Sequence, residues 1–132
     1  MTPEDDAFED RKKSQEARYK MEEERRFKVR SRRDKLAGMW AAGRLGLDGA
    51  ATQELAGEAV IIGFDARGDA DFAAALAERI AALGGAIGEA AIAAELPRLG
   101  EEARRQIAKE YPSALDTDHG PVGDGPFAKR KG

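Results

Sequence analysis

The basic run RRFKVRSRRDK at residues 25–35 is the stretch of this sequence best suited to binding chemistry. Its arginine and lysine side chains are the types that contact nucleic-acid phosphates. Against that reading, Glu22 to Glu24 precede the run, the chain has a net charge of -3, and no leucine zipper follows to form a bZIP-like dimer. A solvated helix face, or a helix that a protein partner accepts in a groove, accounts for the same residues. We expect no nucleic-acid partner and keep a basic-helix nucleic-acid-binding protein as an alternative.

Residues for catalysis or metal binding are few. The chain has no cysteine, and its one histidine, His119, lies in a tail rich in glycine and proline. A thiol nucleophile and a cysteine-based zinc site are therefore excluded, and no motif positions a histidine base beside Ser14, Ser31 or Ser113. We predict a protein that is not an enzyme and that uses no metal or cofactor.

The segment DARGDAD at residues 65–71 carries the carboxylates of Asp65, Asp69 and Asp71. Hard cations prefer such oxygen ligands, but an EF-hand loop needs glycine at its sixth position and glutamate at its twelfth. Here the glycine is fourth and leucine is twelfth. We therefore favour a helix connection in which Asp69 caps the following helix.

Charge is distributed unevenly along the chain. Residues 1–10 carry five acids and no base, residues 11–35 carry twelve bases and five acids, and residues 36–111 carry seven bases and twelve acids. A polarised N-terminal segment of this kind is typical of partner binding.

The first ten residues are too acidic for a signal peptide, and no run reaches the roughly 18 apolar residues of a membrane span. We expect a cytoplasmic protein without direct membrane insertion.

Helices must position these residues. Thr2 as N-cap, Pro3 at the first helical position and Asp5 at the capping-box position predict a helix start. Strong helix formers continue to about residue 26. The large apolar side chains there are few, chiefly Phe8, Tyr19 and Met21. Since most helical stability comes from packing an apolar face, we predict an arm that is frayed or disordered when alone.

Apolar residues at helical spacing predict that the same long helix docks by its C-terminal half and that three more helices follow. The docking residues are Val29, Leu36, Met39 and Trp40, before an end near Gly43 and Gly46. A second helix at about 50–64 buries Leu55, Ala59 and Ile62, with Val60, Ile61 and Phe64 widening the buried face. A strand at AVIIGF is the alternative, but no second strand pattern exists to pair with it.

The last two helices follow the same rule. The third carries Phe72, Leu76, Ile80 and Leu83 and ends at Gly84 and Gly85. The fourth starts near Gly88 and carries Ile92, Leu96, Leu99, Ala103 and Ile107. Pro97, helped by Gly100, is expected to kink or split it near residues 95–98, because proline removes a helix hydrogen bond and clashes with the preceding turn.

These elements predict an all-α, four-helix bundle-like domain with a mobile, helix-prone N-terminal arm. The predicted limits are 1–19 for the arm, 20–111 for the four-helix domain and 112–132 for a disordered tail, which is rich in proline, glycine and aspartate.

The chain closely resembles the zeta-type inhibitor subunit of alphaproteobacterial F-type ATP synthases, a family long catalogued as a domain of unknown function. The resemblance covers about residues 8–110. It is carried by RRFKVRSRRDKLAGMWAAGRLGL at 25–47, EAVIIGFDARGDADF at 58–72 and IAALGGAIGEAAIAAEL leading to EEARRQI at 101–107. Its most specific part is Arg-Arg-x-Lys-Leu-x-Gly-x-Trp-Ala-Ala at 32–42.

This resemblance implies a regulatory inhibitor of the synthase, bound at the membrane periphery through that complex. The mobile N-terminal segment becomes helical as it inserts at the catalytic interface between the alpha and beta subunits, near the central rotor, and blocks ATP hydrolysis. By similarity the inhibitory segment is 1–19. Its candidate contacts are Phe8, Asp10, Arg11, Lys13, Gln15, Glu16 and Tyr19. A non-inhibitory assembly factor of the same complex is the alternative.

The sequence departs from the family pattern at a few positions. Gln15 stands where relatives often carry an aromatic residue, which removes an apolar anchor of the kind that dominates interfaces. Gly88 replaces a polar helix cap, and Pro97 and Gly100 interrupt a helix that is smooth in the family. The tail beyond residue 111 has no counterpart in the resemblance.

Overall fold

The structure, a computed structural model, describes residues 3–112, with side chains from residue 6 onward. In this range it has four α-helices and no strand: α1 Pro3–Leu45, α2 Gly49–Asp65, α3 Asp69–Ala82 and α4 Glu89–Glu110. The all-α class and the helix at AVIIGF are confirmed. The Thr2 cap, the side chain of Asp5, His119 and the predicted tail from residue 113 onward lie outside the described residues.

Spatial contacts divide the described residues into two compact units, residues 3–28 with 108–112, and residues 29–107. In the first unit, the Lys28 ammonium lies 5.1 Å from the centre of the Tyr111 ring, a cation–π contact. Residues 6–20 of this unit are exposed without exception. The domain limits at 19 and 111, and the frayed state of the free arm, remain predictions.

The hydrophobic core of residues 29–107 draws on all four helices. Its larger side chains are Leu55, Phe72, Leu76, Ile80, Ile87, Ile92, Leu96 and Leu99. The apolar faces predicted for α3 and α4 are therefore buried. The exception is Leu83, which directly follows α3 and is 45% exposed.

The buried face of α1 consists of small residues. Ala37 and Ala41 are fully buried, whereas Leu36 and Trp40 are only partly buried and pack against the edge of the core. A Cβ on Gly38 would lie 2.8 Å from both the Leu55 carbonyl oxygen and the Ala56 Cα of α2. The prediction that Leu36 and Trp40 dock α1 on the core is therefore confirmed, but small residues form the fully buried face, because the backbones of α1 and α2 approach closely at Gly38.

Two apolar residues of α2 do not widen its buried face. Ile61 and Phe64 are each 61% exposed, while Leu55 and Ala59 are buried. Residues 61 and 64 lie on the opposite side of the helix from residues 55 and 59, because successive residues advance about 100° around the axis. The prediction was wrong at these two positions.

Helix α4 continues through Pro97 without a break, so the predicted split is wrong, and the predicted kink stays a prediction. A proline inside a helix costs about 3 kcal/mol, through one lost hydrogen bond and a clash with the preceding turn. Pro97 is exposed, whereas Leu96 and Leu99 on either side of it are buried in the core. Packing of these flanking side chains offsets the cost of the proline.

The C-terminal ends of α1 and α3 lie at glycines, as predicted. After α1, Gly46 has a φ of 73°, and after α3, Gly84 has a φ of 86°. Glycine reaches this left-handed region without a steric penalty, which suits it to the end of a helix. At the start of α2, the Asp48 carboxylate accepts a hydrogen bond of 2.8 Å from the backbone N–H of Ala51.

Candidate partner-binding face and polar cleft

The candidate contacts on the N-terminal part of α1 are available to a partner. All seven are exposed: Phe8, Asp10, Arg11, Lys13, Gln15, Glu16 and Tyr19. The two aromatic side chains are 59% and 62% exposed, values that are unusual for large apolar residues. The core cluster of residues 29–107 does not include these side chains.

Helical spacing divides these seven residues between faces. Phe8, Gln15 and Tyr19 are seven and four residues apart and share one face, whereas Asp10 and Lys13 point to the other side. The two aromatic residues are about 16 Å apart along the axis, at about 1.5 Å per residue. The helix therefore places Gln15 between two exposed aromatic side chains, where a third apolar residue would complete the row. Their contact with a partner remains a prediction.

Part of the basic run forms contacts within the chain. Arg26 pairs with Glu23 at 2.7 Å, and Arg32 donates a hydrogen bond of 2.8 Å to the Gln106 side chain. Arg33 pairs with two carboxylates, described below. Arg32 and Arg33 therefore contact other helices of the fold, which interrupts the basic run as a phosphate-binding surface and weakens the nucleic-acid alternative.

The segment between α2 and α3 uses its carboxylates differently from the prediction. The N-cap of α3 is Gly68, with no side-chain cap. Asp71 accepts a hydrogen bond of 2.9 Å from the backbone N–H of Arg67, and Asp69 accepts one of 2.9 Å from Arg33. The prediction that Asp69 caps the helix was wrong, because its carboxylate is held by the guanidinium of Arg33. Within residues 3–112, no group of three His, Cys, Asp or Glu side chains is arranged for a metal.

A polar cleft of about 180 Å³ lies among α1, α2 and the start of α3. Its lining residues are Arg30, Arg33, Asp34, Gly63, Phe64, Ala66, Arg67, Gly68, Asp69 and Phe72. All of them belong to the unit formed by residues 29–107. The cleft combines three arginines, two carboxylates and two aromatic rings.

At the base of the cleft lies a charged pair. Asp34 is 2% exposed, and among residues 6–112 it is the one charged residue that is buried. Arg33 donates to its Oδ1 from Nε at 3.1 Å and from Nη2 at 2.9 Å, and the guanidinium carbon lies 5.7 Å from the centre of the Phe72 ring. Burial raises the pKa of Asp34, while the guanidinium groups of Arg33 and Arg30 oppose that rise.

This arrangement connects three helices. Arg33 and Asp34 are on α1, Asp69 is on α3, and Gly63 is on α2, where a Cβ would overlap the Asp34 carboxylate. We interpret the group as a clamp that stabilises the fold, because the guanidinium joins two carboxylates and covers an aromatic ring of the core. The sequence reasoning missed this clamp.

One signal for the clamp was present in the sequence. Asp34 precedes Ala37, Gly38 and Ala41 by three, four and seven residues, which places it on the same helix face as the small residues. A face of small residues indicates close helix packing. A carboxylate on that face must then be buried and requires a partner of opposite charge.

Among the helices of residues 3–112, none combines the length and the apolar content of a membrane span. A family model described as ATPase inhibitor subunit zeta matches residues 5–106, which include all of the stretches that carry the resemblance except Ile107. Comparisons with curated proteins and with solved structures gave no significant match. Since the family match covers most of the sequence, the chain belongs to the ATPase inhibitor subunit zeta family, whose name describes a regulatory rather than an enzymatic role.

Proposed function

We propose that this chain inhibits ATP hydrolysis by an F-type ATP synthase, and that it does so by inserting the N-terminal part of α1 at the catalytic interface between the alpha and beta subunits, near the central rotor. Family membership supports the inhibitory role. The exposure of every residue from 6 to 20 carries the proposal for this segment.

The chemistry of the segment suits insertion between two subunits. Phe8 and Tyr19 are exposed on one face, and aromatic side chains are enriched among the residues that dominate binding energy. Around them lie side chains of both charges, among them Asp10, Arg11 and Glu16. Such a mixture suits the polar rim of an interface, and an amphipathic helix in a groove is a recurrent way of binding.

The predicted marginal stability of the segment also supports this use. It has strong helix formers but no apolar face packed in its own core, and isolated helices of this kind are marginal in water. Binding in a groove supplies the missing apolar contacts and orders the helix. In this proposal the protein acts from the cytoplasm and is peripheral to the inner membrane, which it reaches through contacts with the alpha, beta and rotor subunits.

The test is ATP hydrolysis by the isolated catalytic sector with purified protein added. The full chain slows hydrolysis, and a variant lacking residues 1–19 does not. This deletion removes no residue known to be buried, so the fold of residues 29–107 is retained. Circular dichroism and thermal unfolding check that retention.

Point variants give a finer comparison. Phe8→Ala combined with Tyr19→Ala weakens inhibition, whereas Phe27→Ala leaves it close to the native level. Phe27 is a matched control, because it is a 47% exposed aromatic residue on the same helix but outside the inhibitory segment. Binding without inhibition by the full chain would favour the assembly factor, and no binding at all would refute the proposal.

A further inference from the structure

A second exposed apolar surface lies on α2, in the unit formed by residues 29–107. It consists of Gly57, Ile61 and Phe64, which are four and three residues apart and therefore share one face; we call it the α2 stripe. Ile61 and Phe64 are each 61% exposed. Interaction sites commonly have large apolar side chains exposed on one face.

Gly57 supports the same interpretation from an independent observation. It lies in the interior of a 17-residue helix, where glycine is less favourable than alanine. Gly38 and Gly63 are each required by a close neighbour, but a Cβ on Gly57 would meet nothing within 4 Å. The fold of this chain therefore gives no reason for glycine at position 57. The close approach of another helix does give one, as Gly38 illustrates within the chain.

Charge at the edge of the stripe selects the kind of partner. Glu54 and Asp65 are exposed and lie along the same edge, about 60–80° around the helix from Gly57. Helix α2 itself contains no lysine or arginine, and the arginines that line the cleft with Phe64 belong to α1 and to the segment after α2. A partner helix with an apolar face and a basic edge complements this surface.

A second copy of the chain that pairs through the side chains of its own α2 does not provide that complement. In an antiparallel pair related by a two-fold axis, the acidic edges of the two α2 stripes meet. In a parallel pair, the acidic edge meets the opposite edge, which carries Gln53 and Val60. Neither arrangement brings a basic side chain of α2 against Glu54 or Asp65.

We propose that the α2 stripe binds a basic amphipathic helix of the same ATPase that the N-terminal segment inhibits. This inference rests on the proposed function and adds a second point of attachment to it. Ile61 and Phe64 supply the apolar contacts, Gly57 admits the partner backbone, and Glu54 and Asp65 pair with the basic edge. Anchoring at this surface makes insertion of the N-terminal segment effectively intramolecular, which raises its local concentration.

The test compares two variants of the full chain. The stripe variant combines Ile61→Gln with Phe64→Gln, and the matched control is Leu83→Gln. Leu83 is an exposed apolar residue outside the stripe, at 45% exposure. Binding to the isolated catalytic sector is measured directly, and ATP hydrolysis is measured at saturating protein. The stripe variant raises Kd at least about tenfold, as loss of a binding hot spot does, and reaches the same maximal inhibition. The control changes Kd by less than about twofold, below the change that marks a hot spot.

A third variant tests the charge. Glu54→Gln with Asp65→Asn raises Kd at low salt and reduces the dependence of Kd on salt, because exposed charge pairs are screened. A Kd unaffected in the stripe variant overturns the inference and leaves the proposed function in place, since inhibition is scored separately. Sedimentation equilibrium gives a further test. If the native chain is dimeric and the stripe variant is monomeric, the inference is overturned in favour of self-association.

Discussion

The carboxylate of Asp34 on α1 lies against the backbone of Gly63 on α2, so closely that a Cβ at residue 63 would overlap Oδ2. The other carboxylate oxygen accepts hydrogen bonds from Arg33, which also reaches Asp69 on α3. A second close approach between α1 and α2 lies at Gly38. These contacts set how tightly the long helix is held in the core.

Gly63→Ala tests this contact. The added methyl group forces Asp34 to move, so we expect the free energy of unfolding to fall by about 1–3 kcal/mol, the usual cost of overpacking. Urea unfolding measures the change. Combining the substitution with Asp34→Ala removes the overlap, so the loss in the double variant is smaller than the sum of the two single losses.

Gly57→Ala is the matched control for Gly63→Ala. Its methyl group meets open space in the interior of the same helix. The helix preference for alanine over glycine therefore raises the free energy of unfolding by up to about 1 kcal/mol. Equal effects of the two substitutions would contradict the role assigned to the Asp34–Gly63 contact.

The pH dependence of stability tests the burial of Asp34. Burial raises the pKa of its carboxyl above the ordinary 3.8, a rise that Asp69 reinforces and that Arg33 and Arg30 oppose. The folded state therefore holds this proton more tightly than the unfolded chain. The stability that this proton contributes is complete at pH values below the pKa of Asp34 in the unfolded chain. It is lost as the pH rises through the pKa of Asp34 in the folded protein. Urea unfolding at a series of pH values from about 3 to 7 covers this window.

Asp34→Asn removes this titration, so the variant loses less stability than the native chain as pH rises through the same window. Glu78→Gln, at an exposed position on α3, is the control and keeps the native slope. A profile for Asp34→Asn that runs parallel to the native one would show that the Asp34 pKa is not raised in the folded protein.

Arg33→Ala leaves the buried Asp34 without its guanidinium partner. Breaking a buried pair in this way costs about 3 kcal/mol at neutral pH, and less at acid pH, where Asp34 is protonated. Arg33→Lys recovers only part of the loss, because one ammonium group does not reproduce the planar fork that joins Asp34 and Asp69. The control Arg26→Ala breaks an exposed pair and costs at most about 1 kcal/mol. Equal losses for Arg33→Ala and Arg26→Ala would contradict the clamp.

Gln15→Phe is expected to strengthen inhibition. It completes the row of aromatic side chains from Phe8 to Tyr19 on one face of α1 and adds an apolar anchor to the proposed interface. We expect the half-inhibitory concentration in the ATPase assay to fall about tenfold, the change expected for one added anchor. Ser14→Phe adds the same side chain on a different face and is the control. Equal gains for both variants would indicate non-specific apolar attachment rather than a defined face.

Pro97→Ala tests how α4 tolerates its proline. Residue 97 is exposed, so alanine removes no core contact and restores a backbone donor. The free energy of unfolding rises by about 1–3 kcal/mol, reduced somewhat by the greater flexibility of the unfolded chain. A decrease would mean that Pro97 stabilises α4 in a way that its exposure does not explain.

Much of the fold follows from local pattern. The apolar residues of α3 and α4, such as Phe72 and Ile92, repeat at a spacing that only a helix places on one side, so their burial could be predicted. The pattern failed at Ile61 and Phe64, since hydrophobicity alone does not state whether an apolar side chain meets its own core or an external surface. The seven candidate contacts of α1 were identified through the family resemblance, and the structure adds which of them share a face.

The sequence by itself determined the four helices, their ends near Gly46 and Gly84, and the family, because helix periodicity, caps and motifs are properties of neighbouring residues. Only the tertiary structure decided that the buried face of α1 is built from Ala37, Gly38 and Ala41, and that Asp34 is held beneath Arg33 against Gly63. The physical reason is distance between helices. How closely two backbones approach decides whether a position admits a large side chain, a carboxylate or only hydrogen, and residues far apart in the chain set that distance.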